Sequence, residues 1–272
     1  MKYKNITVLS SKLLSKLTAE GKTWFHIEEI YEFFPELSKK SISQQLTMMV
    51  NNGVLMRIKE GVYYIVPYEC NSEAFMPDWH LLAETLAGQN YYIGYYSALQ
   101  IHQLITQPSL KEQIVVNKQI KPSKLFIKDV KFQFIFHKEN RFFGYKKMWI
   151  DNFNKVYCSD LEKTIIDCLN KPDYAGGIVE IAKAIFMAKE KINFDTLLKY
   201  SLLFNSQAVI KRLGYLLELL QIETPIIANL QNHRTTSISL LDTEAPKNGK
   251  INTRWNIQQN ADIETIKTSL ST

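Results

Sequence analysis

At 272 residues with 46% hydrophobic content, the chain is long enough to bury the cores of two domains, and no apolar run in it approaches a membrane span. Its three cysteines, Cys70, Cys158 and Cys168, are odd in number and form no C-x-x-C pair, so they indicate neither a disulfide framework nor a zinc site and suit a reducing cytoplasm. The net charge of +6 is uneven: residues 111–155 hold 11 Lys and Arg against 4 Asp and Glu, whereas residues 68–110 hold none against 4.

The N-terminal stretch MKYKNITVLSSKLLSKL has neither an uninterrupted apolar run nor a small-residue cleavage site, and so does not read as a secretory signal. Ile6, Leu9, Leu13 and Leu17 fall on one helical face, closed by Glu20-Gly21. Ile27, Ile30, Tyr31 and Phe34 form a second face, ended by Pro35, which has no amide to continue a helix. A third helix is marked at both ends, by Ser38 as N-cap and by Asn51-Asn52-Gly53 as a stop. Ile42, Leu46, Met49 and Val50 give it an apolar stripe, while Lys39, Lys40, Ser43, Gln44, Thr47 and Asn51 point the other way. The runs VLMRI and VYYIV, separated by Lys59-Glu60-Gly61, then predict a hairpin with Arg57 and Lys59 near its tip.

Helix, helix, helix, hairpin is the order of a winged helix-turn-helix, whose last helix can lie in the major groove while the wing touches the backbone beside it. On that pattern Lys39, Lys40, Arg57 and Lys59 meet phosphates, and Ser43, Gln44, Gln45 and Thr47 are the candidates for base contact. The same elements can also serve as a helical dimerisation or protein-docking module, since fold alone does not set function.

Residues 1–67 are expected to form this domain and residues 68–77, where periodicity is lost, a linker. From residue 78 a mixed α+β domain is expected, with a small sheet and several helices. Asp78 is a good N-cap for a helix over DWHLLAETLAG, closed by Gly88, and YYIGYYSALQIHQL carries Tyr96, Leu99 and Gln103 on another that stops before Pro108. Strands are predicted at 113–118, 124–128 and 130–138, the last with Phe132, Phe134 and Phe136 on one face, and YKKMWI and KVYC extend the sheet. Thereafter the chain turns helical, with DLEKTIIDCLN stopping at Pro172 and GGIVEIAKAIFMAKE, NFDTLLKYSLLF and SQAVIKRLGYLLELL following. Asp160, Glu162 and Asp167 read as carboxylates favoured near a helix N-terminus. Lys118, Lys121, Lys124, Lys128 and Lys131 surround the predicted strands, where alternation sends some of them to one solvent face. That face is either an ordinary solvated surface or a second polyanion contact.

Recognisable reactive motifs are few. His26, His80, His102, His137 and His233 show no metal-ligand spacing, and neither a G-x-S-x-G elbow nor a phosphate-binding glycine loop is present. Asp129 and Lys131 have the D-x-K spacing of many nucleases, but no Pro-Asp lies at a suitable distance upstream. A metal-dependent nuclease with a DNA-reading head is therefore the alternative function. No catalytic residue, metal or cofactor is expected.

Three blocks occur in order behind the N-terminal module: YYIGYYSALQIHQL (91–104), VYCSDLEKTIIDCLNKPDYAGGIVEIAKAI (156–185) and VIKRLGYLLELL (209–220), followed by RWNIQQN (254–260). Together they resemble the AbiEi family of bacterial antitoxins and transcriptional regulators. The resemblance marks Asp160, Lys163, Asp167, Lys211 and Arg212 as family-motif residues of the second domain. It implies a cytoplasmic repressor that binds inverted repeats in its own promoter, and an antitoxin activity in the C-terminal domain that opposes the effect of a nucleotidyltransferase-like toxin, with no direct complex between the two assumed. The N-terminal polar residues match that family only in type, so base specificity does not carry over.

Overall fold

Thr7 opens the first helix by accepting the amide of Ser10 through its hydroxyl, so α1 runs Val8–Ala19 and leaves Ile6 outside it and exposed. These facts come from a computed structural model that describes residues 4–105 and 107–268. It is a mixed α+β protein that divides into two units, Met1–Thr85 and Leu86–Thr272. The segment 68–77, read from sequence as the linker, falls within the first unit.

After α1 the first unit continues with β1 (Trp24–His26), α2 (Ile27–Phe33), α3 (Lys39–Asn51), β2 (Leu55–Lys59) and β3 (Val62–Ile65). Periodicity did not predict β1, because three residues of burial pattern half-in, in, half-in are too short to show alternation. It pairs antiparallel with β3, giving a three-stranded sheet in the order β1-β3-β2. Gly61 turns the hairpin at φ +72°, and its carbonyl accepts the amide of Ile27, which fastens the hairpin to the start of α2. Leu13 and Leu17, Phe25 and Ile30, Ile42, Leu46 and Met49, and Val54, Leu55 and Tyr63 meet in one core.

The helix expected over 78–88 is shorter. Asp78 accepts the amide of His80 in a turn, and α4 spans only Leu82–Ala87. In the second unit the block 91–104 is strand then helix: β4 (Tyr91–Ile93) and α5 (Tyr95–Ile101), with Gln103 beyond the helix at φ +59°. All three residues of β4 are buried, and a run buried on both faces carries no period.

β5 (Lys111–Val116), β6 (Lys124–Ile127), β7 (Val130–Phe136), β8 (Tyr145–Trp149) and β9 (Lys155–Ser159) complete a six-stranded sheet in the order β6-β7-β5-β4-β9-β8. The pairs β5/β7 and β4/β9 are parallel and the rest antiparallel. Helices α6 (Leu161–Asn170), α7 (Ile178–Ala188), α8 (Phe194–Phe204), α9 (Gln207–Leu219) and α10 (Ile226–His233) follow. A small sheet of β10 (Ser239–Leu240), β11 (Ile251–Asn252) and β12 (Ile257–Gln258) comes next, and α11 (Ile263–Thr268) ends the described chain. Among the described residues no helix is long and apolar enough to cross a membrane.

Candidate nucleic-acid interface

Helix α3 is fixed at both ends by its own residues. The Ser38 hydroxyl accepts the amide of Ser41 at 3.1 Å, and Gly53 takes φ +69° just past the C-cap Asn52. Ile42, Leu46 and Met49 are buried, so at 100° per residue the opposite stripe is Lys40, Gln44, Thr47 and Asn51, all four exposed. Asn51, the fourth member of that stripe, is missing from the candidate base contacts named from sequence; its spacing of eleven residues from Lys40, three helical turns, is the signal that finds it. Lys39 lies to one side, exposed, with its ammonium 5.2 Å from the centre of the Tyr31 ring.

Gln45 departs from expectation. Its side-chain amide donates to the hydroxyls of Thr7 at 3.0 Å and Ser10 at 2.6 Å, so it ties α3 to the start of α1 instead of facing outward. Ser43 is half-buried and its carbonyl accepts the Thr47 hydroxyl. On the hairpin Arg57 is exposed, whereas Lys59 is half-buried and its ammonium is pulled below the usual lysine value by desolvation. The outward cations of this face are therefore Lys39, Lys40 and Arg57.

The lysines of the basic segment do not form one cluster. Lys131 on β7 pairs across to Lys111 on β5, and Lys124 on β6 faces Gln133, two residues along β7 from Lys131. Period-two alternation puts Lys111, Lys124 and Lys131 on one sheet face, where the ammonium of Lys111 is lowered by desolvation and, among its neighbours, by Lys131 and Lys124. Lys111 was not singled out in the sequence, since only the parallel β5/β7 register brings it beside Lys131. Lys118 and Lys121 lie in the connection after the other end of β5, and Lys128 sits in the β6–β7 turn at φ +50°. Lys111 also lines an open cleft of about 690 Å³ with Tyr96, Asp173, Glu180 and Lys183, in which two acids balance two lysines.

In the second unit Asp160, Lys163, Asp167, Lys211 and Arg212, the residues that the AbiEi resemblance marks, all serve the packing of the fold. Asp160 caps α6 by accepting the amide of Lys163, and its other oxygen accepts the Tyr200 hydroxyl. Asp167 is not near the helix start: it lies one turn beyond Lys163 and forms with it a fully buried ion pair. Tyr92 accepts from the Lys163 ammonium at 2.9 Å and donates to Asp167 at 3.0 Å. Its proton being committed to Asp167, the 3.2 Å contact with His137 Nδ1 requires the imidazole to donate there and to accept the Tyr95 hydroxyl at Nε2, 2.9 Å away. A neutral ring satisfies both bonds, and burial depresses the His137 pKa to about 4.

Between pH 6.5 and about 4 the unfolded chain thus binds a proton at His137 that the folded chain does not, so stability falls as pH is lowered through that window. Acidification from pH 7 to 4 is expected to cost His137-dependent stability of roughly 2–3 kcal/mol. Urea unfolding of wild type and His137→Gln at both pH values measures it; equal pH dependence in the two proteins removes the assignment.

Lys211 and Arg212 serve the α9 docking site. Lys211 donates to the Ser237 carbonyl and to the hydroxyls of Thr235 and Ser237. Arg212 donates to the Leu169 carbonyl at 2.7 Å, closing the C-terminal end of α6, and to that of Leu240 at 2.9 Å. Gly214 seats the Trp255 indole, which a methyl group at that position would overlap, and the indole N–H donates to Glu218. The K-R-L-G-Y run is where α9 receives the chain that follows it.

Asp129 is exposed in the β6–β7 turn next to Val130, and among the described residues no three His, Cys, Asp or Glu side chains gather as a metal site. No family model and no curated protein matches the chain. Among solved structures, the RV2827C protein from Mycobacterium tuberculosis is similar at a TM-score of 0.69 and 14% identity, over 100% of this chain and 97% of that one. At that identity the likeness is one of fold.

Proposed function

We propose that the protein is a DNA-binding transcriptional repressor whose first unit is a winged helix-turn-helix. The observation that carries this reading is the outward stripe Lys40–Gln44–Thr47–Asn51 on a helix capped at both ends, beside a hairpin that presents Arg57. The stripe contains no acid and offers hydrogen-bonding groups at successive turns, as a helix in the major groove requires. The order α1, β1, α2, α3, β2, β3, with β1 closing the sheet, supports it further. The ordered blocks of the second unit that resemble the AbiEi family extend the reading to a cytoplasmic antitoxin that opposes a nucleotidyltransferase-like toxin and represses its own promoter through inverted repeats.

The test is fluorescence anisotropy with the DNA immediately upstream of its coding sequence, over a salt series. Tighter binding to that DNA than to random duplex supports the reading, and equal binding to both removes sequence-specific repression. Arg57→Ala is expected to shallow the slope of log affinity against log salt by about 0.9 while sequence preference persists. An unchanged slope takes the hairpin out of the interface.

A further inference from the structure

One face of the β8–β9 hairpin packs on the core at its root and turns outward toward its tip, where neither the fold nor the repressor reading uses it. Its register pairs Lys147 with Tyr157 and Trp149 with Lys155, and period-two alternation sends these four side chains to the same face. The ammonium of Lys147 lies 5.3 Å from the Tyr157 ring centre and that of Lys155 4.1 Å from the Trp149 ring centre. Trp149 is nevertheless 59% exposed, and Phe153 at the tip is 87% exposed.

Both ends of this face are fixed. At its root Tyr145 stacks on the buried Tyr92 with ring centres 5.2 Å apart, and Tyr157 meets Tyr91 edge-on. At its tip the Asp151 carboxylate accepts the amides of Phe153 and Asn154 and the Asn154 side chain, which holds its pKa below the usual carboxylate value. The hairpin's one acid is thereby tied into its own turn, while Lys146, Lys147 and Lys155 remain as its cations.

We propose that this hairpin is a binding platform for single-stranded nucleic acid. Aromatic rings interleaved with lysines match a chain whose bases offer flat faces and whose backbone is a polyanion, and the Trp149 ring, already set against the Lys155 ammonium, loses little freedom on stacking. A duplex hides its base faces and gains nothing from Trp149 or Phe153. The outer strand β8 also has a free edge, but Lys146 and Lys147 there discourage pairing with another strand, and the ladder of rings lies on the face, not the edge. The predicted recognition is sequence-tolerant, because every base has a face to stack.

The test uses the full chain with labelled oligo-dT and oligo-U of about twelve nucleotides and a random duplex. Trp149→Ala/Phe153→Ala is expected to weaken single-strand binding on the order of tenfold per ring removed, with an unchanged salt slope and unchanged duplex binding. Lys147→Ala/Lys155→Ala is expected to shallow the single-strand slope by about 0.7 per lysine. Circular dichroism of both variants checks that these exposed substitutions leave the fold intact. Wild-type protein that ignores single strands, as it would if the hairpin seated a protein instead, overturns the proposal. So does a ring-deleted variant that binds them as well as wild type. Failure of duplex binding alone overturns the repressor reading and leaves this one standing.

Discussion

Replacing either member of the Lys163–Asp167 pair alone should destabilise the second unit by roughly 3–5 kcal/mol, because each leaves its partner charged and unpaired in a site without water access. Both side chains are fully buried, and desolvation pulls the Lys163 ammonium below its usual value even with Asp167 alongside. Asp167→Ala also strips Tyr92 of its acceptor, and the rearrangement reaches His137 through the shared hydroxyl. The double variant Lys163→Met/Asp167→Leu removes both charges together and should cost less than either single change. Urea unfolding measures this in the transition with the larger m-value, which belongs to the larger unit. Single variants within about 1 kcal/mol of wild type would show that the pair is solvated. The expected pattern makes the segment 160–169 a requirement for folding the second unit.

The second large effect concerns the first unit. The triple variant Lys40→Ala/Gln44→Ala/Arg57→Ala should lose on the order of a hundredfold to a thousandfold in affinity for its upstream DNA, combining one lost base contact of ~1–3 kcal/mol with two lost phosphate contacts. All three residues are exposed, so thermal stability should stay within about 0.5 kcal/mol of wild type. Gln44→Ala alone should lower discrimination between upstream and random DNA and change random binding little. Equal losses on both DNAs would deny Gln44 a base-reading role. If the proposed repressor and antitoxin roles hold, the triple variant in cells should fail to repress the promoter yet still protect against the cognate toxin, because the second unit is untouched. Loss of protection as well would tie neutralisation to repression.

Gln45 was expected beside Gln44 as a base contact, and the two show how far local pattern carries. Both are polar, adjacent and on the same helix, and composition does not separate them. A 100° step is enough to send one to solvent and the other to the hydroxyls of Thr7 and Ser10. Those hydroxyls are more than thirty residues away in sequence, and their position depends on how α1 packs against α3.

By itself the sequence determined the elements whose signals are local: the two capped ends and apolar stripe of α3, the Gly61 turn, and the helices from α6 to α9, where caps and 3.6-residue periodicity act within a few residues. Tertiary structure decided whatever depends on a distant partner. β1 and β4 are three-residue strands with no readable period, and each exists because another strand supplies its hydrogen bonds. Lys163, Lys211 and Arg212 look like surface cations in the sequence, yet each is buried: Lys163, beside its helical neighbour Asp167, reaches the Tyr92 hydroxyl on β4, and Lys211 and Arg212 reach carbonyls more than twenty residues away. Lys111, Lys124 and Lys131 share a face while Lys118 and Lys121 do not, since strand register alone chooses which side chains of separate strands become neighbours.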